Sequence, residues 1–397
     1  MPVHGVHRLR RRAPAMAGKT KDNKRRSKMN TDQHTNNKHT AGNTCHLSRI
    51  GWTSYFQAQL ANGGSSEGFP ARVIGVGKNV FLVSNGKREW HATAAGRLKH
   101  RSGGLYPVTG DWVLVADTMI CQVLARKNVL SRGASGARGR KNEMARKEQV
   151  IAANLDTVLV VCGLDRDFNL RRIERYVTLV YNCGLNPVIV LTKADLHDDP
   201  EHFVAEAEAV ALGVPTHPVS ALDGSGLAQL ERYLSPAQTA AMVGSSGAGK
   251  STLVNRLYGE TIRATASISS SVGKGTHTTA SRDLIVMPQG GMLIDNPGIR
   301  EIAFWDDDGG IGRAFPEIEH YAGKCRFSDC THTREPGCRV LQAAAEGDIS
   351  KGRLESYRKM KRELAYRADR AHKSADRVEK ERWKDVALKV KAMKKRR

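Results

Sequence analysis

The 397-residue chain lacks any uninterrupted apolar run approaching the ~18 to 20 residues that cross a bilayer, so it is expected to be soluble, with no membrane partner. Cysteine is sparse. Seven are scattered at 45, 121, 162, 183, 325, 330 and 338, an odd number with no export signal ahead of them. That usage excludes a disulfide framework and points to a reducing compartment, the cytoplasm. Acidic residues are short too, 40 against 63 Lys and Arg, and the deficit is local. Residues 1–44 hold 11 Lys and Arg against 2 Asp, and residues 351–397 hold 19 against 7, so the two ends carry +9 and +12 of the formal +23. Basic ends around a near-neutral body favour an anionic polymer, nucleic acid, bound through its phosphates and weakened by salt. Residues 1–44 also lack the apolar core of a secretory signal and the amphipathic period of a transit peptide. They read as a disordered basic tail, or as sequence upstream of a start at Met16 or Met29.

What is present is enough for two or three cored domains, with 40% hydrophobic residues. A helical lead-in over 50–60 precedes five short β-rich pieces at 71–76, 80–83, 88–92, 111–115 and 120–124, separated by turn residues. Such spacing fits a small closed barrel, an OB-fold. Barrels of this kind bind RNA through an aromatic and basic face, which makes Trp90 and Trp112 candidate stackers. A tryptophan in so small a barrel more often packs the core. Residues 131–149, with Arg132, Arg138, Arg140, Lys141, Arg146 and Lys147, read as a basic linker. From Asp156 the pattern turns to strand 157–161, helix 170–181 and strand 186–191, a parallel sheet covered by helices.

The centre of the chain is Gly244-Ser245-Ser246-Gly247-Ala248-Gly249-Lys250-Ser251, which fits GxxxxGK[ST] in full and leads through Thr252 into a helix reaching Tyr258. Its glycines let backbone N–H groups curl around phosphates, Lys250 neutralises the β and γ oxygens, and the Ser251 hydroxyl takes Mg²⁺. The helix N-terminus adds its dipole. Thr192-Lys193-Ala194-Asp195 follows a strand, where Asp195 can accept from N1–H and the amine of guanine while the Lys193 stem lies along the base. Ser220 and Ala221 end a further strand, where a backbone N–H can meet the guanine oxygen. Beyond the phosphate loop come a hydroxyl-rich segment, Thr276-His277-Thr278-Thr279, and then Asp295-Asn296-Pro297-Gly298. Asp295 is placed to hold a Mg²⁺-bound water, Gly298 N–H to sense a γ-phosphate, and one of the threonines, taken as Thr278, to complete the metal shell. The order is unusual, because the base-reading loops precede the phosphate loop; the domain reads as circularly permuted. Ile299 stands where many GTPases have a water-orienting glutamine, so basal hydrolysis should be slow and His277 is the candidate for positioning water.

Cys325-x4-Cys330-x-His332-x5-Cys338 offers three thiolates and an imidazole, a closed tetrahedral set suited to one structural Zn²⁺. From 341 to 397 the chain reads as helical, with Leu354, Tyr357, Met360 and Leu364 as an apolar stripe and a basic tail behind it.

With Gly110-Asp111-Trp112-Val113, Asp165-Arg166-Asp167-Phe168-Asn169-Leu170-Arg171-Arg172, the permuted loops and the Cys325 to Cys338 signature, the chain resembles the circularly permuted GTPases that depend on the small ribosomal subunit, the RsgA or YjeQ family. The resemblance covers about residues 50–360. It implies a multidomain protein: a β-barrel (OB-fold), an α/β circularly permuted GTPase domain and a small, mainly helical zinc-binding C-terminal domain. The expected division is 1–44 tail, 45–130 barrel, 131–149 linker, 150–305 GTPase domain and 306–397 C-terminal domain. It also implies binding to the small (30S) subunit and its rRNA late in maturation, GTP hydrolysis to GDP stimulated by that subunit, and a monomer. Thr192 departs from the asparagine common at its position, whose amide tethers the loops around the base, so a lower guanine affinity is expected. The alternative is an RNA-binding module in which nucleotide only stabilises the fold.

Overall fold

The structure is a computed structural model describing residues 44–62, 68–96, 98, 105–133, 148–262, 283–295 and 309–372. The chain divides into two compact units, Met1–Cys45 and His46–Arg397. The barrel, the main sheet and the C-terminal helices all belong to the second.

Five strands, β1 (Phe69–Val76), β2 (Phe81–Ser84), β3 (Glu89–Ala94), β4 (Trp112–Ala116) and β5 (Met119–Val123), close in the order β1-β2-β3-β5-β4. β3 runs parallel to β5 and β1 closes on β4, the OB arrangement expected from the strand spacing. Alternate residues fill the interior, Ala71 and Val73, Phe81 and Val83, Val113 and Val115, as the two-residue period of a strand requires. The other face of β1 and β4 is buried too. It carries Arg72, Ile74, Trp112 and Leu114 toward the rest of the molecule. Trp112 is 1% exposed and packs edge-on against Trp52 at 4.7 Å, so it is core rather than a base stacker. Trp90 is half-buried, against Phe69 at 5.5 Å and under the Arg88 guanidinium at 5.2 Å.

The segment read as a linker from 131 to 149 begins and ends in strands. β6 (Val129–Gly133) and β7 (Glu148–Ala153) pair antiparallel. Beyond them lies a six-stranded sheet in the order β10-β9-β8-β11-β13-β12, built from β8 (Thr157–Gly163), β9 (Pro187–Thr192), β10 (Thr216–Val219), β11 (Thr239–Val243), β12 (Leu284–Val286) and β13 (Met292–Ile294). All pairings are parallel except β12 with β13. Helix Leu170–Asn182 is capped by Asn169, whose side chain accepts from the Arg172 N–H at 3.0 Å, and buries Ile173, Tyr176, Val177 and Val180.

The C-terminal region is helical over Gly309–Ala314, Pro316–Ala322, Arg339–Glu346 and Lys351–His372. Gly347, at φ +96°, ends the third of these, so the helical stretch expected from 341 onward is described as two helices. Leu354, Tyr357, Met360 and Leu364 are buried in the same core as helix Leu170–Asn182, as their stripe predicts. Arg353, 5% exposed, spans that contact: it pairs with Glu174, donates to Glu317 at 2.7 Å and lies 4.0 Å over the Phe315 ring.

Candidate nucleotide site and metal cluster

The carboxyl ends of β8, β9, β10, β11 and β13 share one edge of the sheet, the edge where open α/β sheets bind ligands. The phosphate loop leaves β11 there. Gly244 has φ +152°, and a Cβ on it would lie 2.2 Å from the Val161 carbonyl oxygen; Gly247 and Gly249 have φ +85° and +84°. Those left-handed positions are what require glycine, and a loop of that shape can present backbone N–H groups to an anion. Helix Lys250–Tyr258 starts at the end of the loop. Lys250 Nζ donates to the Gly244 carbonyl at 2.9 Å and to that of Ser245, curled into the loop it would share with phosphate. Ser251 is half-buried at the helix start, while Ser246 and Thr252 are exposed.

The residues expected to read the base join this loop by direct bonds. Thr192 is 2% exposed, and its hydroxyl donates to the Ala248 carbonyl at 2.6 Å. The hydroxyl thus tethers the two loops, the task for which an asparagine amide was expected. Lys193, at φ +61°, sends Nζ to the Gly247 carbonyl at 2.8 Å, so its stem crosses the gap a base would occupy alongside. Asp195 is exposed and accepts the Ser220 hydroxyl at 2.6 Å; Ser220 Oγ in turn accepts the N–H groups of Leu222 and Asp223. Ala221 sits half-buried in that braced turn.

Two acids were quoted above only as part of a motif, and the structure gives them partners. Asp165 Oδ2 takes the Lys193 ammonium at 2.6 Å, which holds its carboxyl below the ordinary aspartate range. Asp167 accepts the Ser245 hydroxyl at 2.5 and 2.6 Å and pairs with Arg172. The loop after β8 therefore braces both the base loop and the phosphate loop from behind.

Asp295 follows β13, which pairs with β11 so that Ala241 faces Ile294; Asp295 thus ends one strand over from the root of the phosphate loop. It is 8% exposed. With Ser251 it could offer hard oxygen donors of the kind Mg²⁺ takes beside nucleotide phosphates. Thr276, His277, Thr278, Thr279, Gly298 and Ile299 lie outside the described residues.

A second cluster forms in the C-terminal region. Among the described residues, Cys325, Cys330, His332 and Cys338 could hold a metal ion, their donor atoms all within 4.8 Å of one another. Cys325 and Cys338 Sγ are 3.9 Å apart, and His332 Nδ1 is 3.6 and 3.5 Å from them. A tetrahedral ion with Zn–S bonds of about 2.3 Å sets its sulfurs about 3.8 Å apart, so the donor set fits. The tight turn between Cys330 and His332 puts His332 at φ +55°. Glu335 holds that turn by accepting the N–H groups of Thr331, Thr333 and Arg334.

The family model described as RsgA GTPase matches residues 123–305. A model described as ABC transporter matches 227–387; that span contains the phosphate loop, a motif common to many nucleotide-binding folds, and no described helix is long and apolar enough to cross a membrane. A small ribosomal subunit biogenesis GTPase RsgA of Methanosarcina acetivorans is 46% identical over 74% of this chain and 79% of its own length. A protein of the same name from Opitutus terrae is 41% identical over 86% and 95%. Among solved structures, YjeQ from Thermotoga maritima superposes with a TM-score of 0.55 at 28% identity, covering 75% of this chain and 98% of its own. YloQ, described as a circularly permuted GTPase, gives 0.52 at 21%, covering 77% and 98%, a likeness of fold. Motifs, barrel, permuted sheet and relatives agree, and the chain belongs to the RsgA GTPase family.

Proposed function

We propose that this protein is a GTP hydrolase that binds the small ribosomal subunit and its rRNA, assists late maturation of that subunit, and turns over GTP to GDP faster when bound to it. The observation that carries the reading is the convergence of the phosphate loop, the Thr192 to Asp195 loop and the Ser220 turn through the bonds from Thr192, Lys193 and Ser220. Asp195 in that setting selects guanine, since adenine lacks the paired donors it would accept. Gly244 to Thr252 take the phosphates, Ser251, Thr278 and Asp295 the Mg²⁺, and Gly298 the γ-phosphate. The protein acts as a cytoplasmic monomer, divided as the sequence suggests into basic tail, barrel, GTPase domain and C-terminal domain.

The measurement is GTP hydrolysis with and without small subunits at two salt concentrations, with ATP in parallel. Large, salt-sensitive, GTP-specific stimulation is expected. Ile299 favours a second reading, a module that binds RNA and uses nucleotide only for stability; subunit binding without any stimulation selects it. His277 positions the attacking water, so His277→Ala is expected to abolish most of the stimulated rate; unchanged stimulated turnover removes that role.

The cysteine cluster holds one structural Zn²⁺. Metal analysis is expected to find one zinc per chain, and Cys338→Ser to leave the region after 309 protease-sensitive while GTP binding persists. A metal-free wild-type chain with a protease-resistant C-terminal region would exclude the site.

A further inference from the structure

Asp283 immediately precedes β12, is 8% exposed, and belongs to none of the loops assigned above. Four hydrogen bonds converge on it from two sides. Toward the sheet, its carbonyl accepts the backbone N–H of Asp295 at 2.9 Å. Toward the barrel, its own N–H donates to the Ile74 carbonyl at 2.9 Å. On the same side its Oδ2 accepts the backbone N–H of Val76 and the hydroxyl of Thr109, each at 3.3 Å. Ile74 and Val76 belong to β1, and Thr109, 1% exposed, lies on the approach to β4. A single residue therefore links the barrel wall to the aspartate assigned to the metal.

The strand register explains why the link falls there. β12 and β13 pair with Leu284 opposite Ile294, so Asp283 stands opposite Asp295. Like charges directly across a strand pair repel. A carboxylate withdrawn from water also needs donors. Asp283 finds donors in the barrel, Val76 N–H and the Thr109 hydroxyl.

The other end of the same face serves as a contrast. Arg72 anchors β1 to Thr239 and Met292, at the starts of β11 and β13. Its bonds hold the two parts together but end three residues short of Asp295.

We propose that Asp283 is a positioning residue for Asp295, fixed by the barrel, so that a change in the barrel wall alters the affinity of the nucleotide site for Mg²⁺. This rests on the reading of Asp295 as a magnesium residue of a GTP hydrolase. Asp283→Asn removes the charge and keeps the shape; Thr109→Val removes the barrel's hydroxyl donor at a position outside the nucleotide loops. GTP hydrolysis by the full chain is titrated with Mg²⁺ at saturating GTP, with melting curves and with GDP affinity in EDTA measured alongside.

Both variants are expected to raise the half-saturating Mg²⁺ concentration about five- to tenfold, the scale of one hydrogen bond. The rate at saturating Mg²⁺ and the GDP affinity in EDTA are expected to stay within about twofold of the wild type. A purely structural role lowers the melting temperature and leaves the Mg²⁺ midpoint in place; that outcome in folded variants overturns the proposal. Wild-type hydrolysis indifferent to Mg²⁺ removes the Asp295 assignment and this inference together. A Mg²⁺-dependent wild type with variants that titrate like it removes the inference alone.

Discussion

Lys250→Ala is expected to weaken GTP and GDP binding by at least about 100-fold, since charge-assisted hydrogen bonds contribute roughly 1.5 to 3 kcal/mol each and in the proposed site the ammonium would serve more than one phosphate oxygen. The local geometry supports a loss of binding rather than of folding. Nζ donates to the carbonyls of Gly244 and Ser245, within its own loop, and the side chain is half-buried. The positive φ at Gly244, Gly247 and Gly249 keeps the loop's shape without the lysine. Melting of the nucleotide-free variant should therefore match the wild type, while the stabilisation that added GTP confers on the wild type disappears. GTP affinity unchanged in equilibrium titration would remove the phosphate-loop assignment. A variant that binds normally but hydrolyses slowly would confine Lys250 to the transition state.

Much of this site was legible in the sequence because its signals are local. A glycine loop needs only eight consecutive residues, and the cysteine cluster fits within fourteen. Continuous β-branched runs gave β8 and β9 to within two residues, and turn residues marked out the barrel. The braces were not legible, because their partners are remote: Lys193 is 28 positions from Asp165, Ser245 is 78 from Asp167, and Val76 is 207 from Asp283. No period or spacing carries such a pairing. Thr192 shows the same limit. Its residue type suggested a missing tether, yet a hydroxyl on a buried strand end reaches the Ala248 carbonyl because the two loops already lie together. The linker expected over 131–149 hid strand ends for a similar reason. Composition there is basic and irregular, and pairing of β6 with β7 is decided by backbone partners.

Arg72→Met is expected to be the most destabilising single change in the barrel, by about 3 to 5 kcal/mol, because buried acceptors lose their donor at several places at once. Arg72 is 1% exposed, and all five of its N–H donors are used. Nε donates to the Gly110 carbonyl at 3.3 Å. Nη1 serves the Ile50 carbonyl at 2.6 Å and Met292 Sδ at 3.0 Å; Nη2 serves Thr239 Oγ1 at 2.9 Å and the Asn154 carbonyl at 3.2 Å. These partners come from the lead-in, the barrel and the sheet, so the loss acts on the joint between them. Methionine fills much of the volume but takes the donor from the buried carbonyls of Ile50 and Asn154, each of which costs about 1 to 3 kcal/mol when left unpaired, while the Gly110 carbonyl keeps the Asn154 amide. Lysine should not rescue the joint, since three donors on one nitrogen cannot reproduce the planar fork. Burial lowers the guanidinium to about 10, with Asp156 and Asp111 opposing that shift. Its folded value lies below the unfolded one, so the proton equilibrium itself opposes folding only as a constant in neutral solution. Both states stay protonated well below the folded value, and the deficit should be flat from about pH 6 to 9. Chemical denaturation across that range checks both statements. A variant within about 1 kcal/mol of the wild type would mean that the joint is held by the surrounding apolar contacts of Trp52, Phe56 and Trp112 rather than by the arginine.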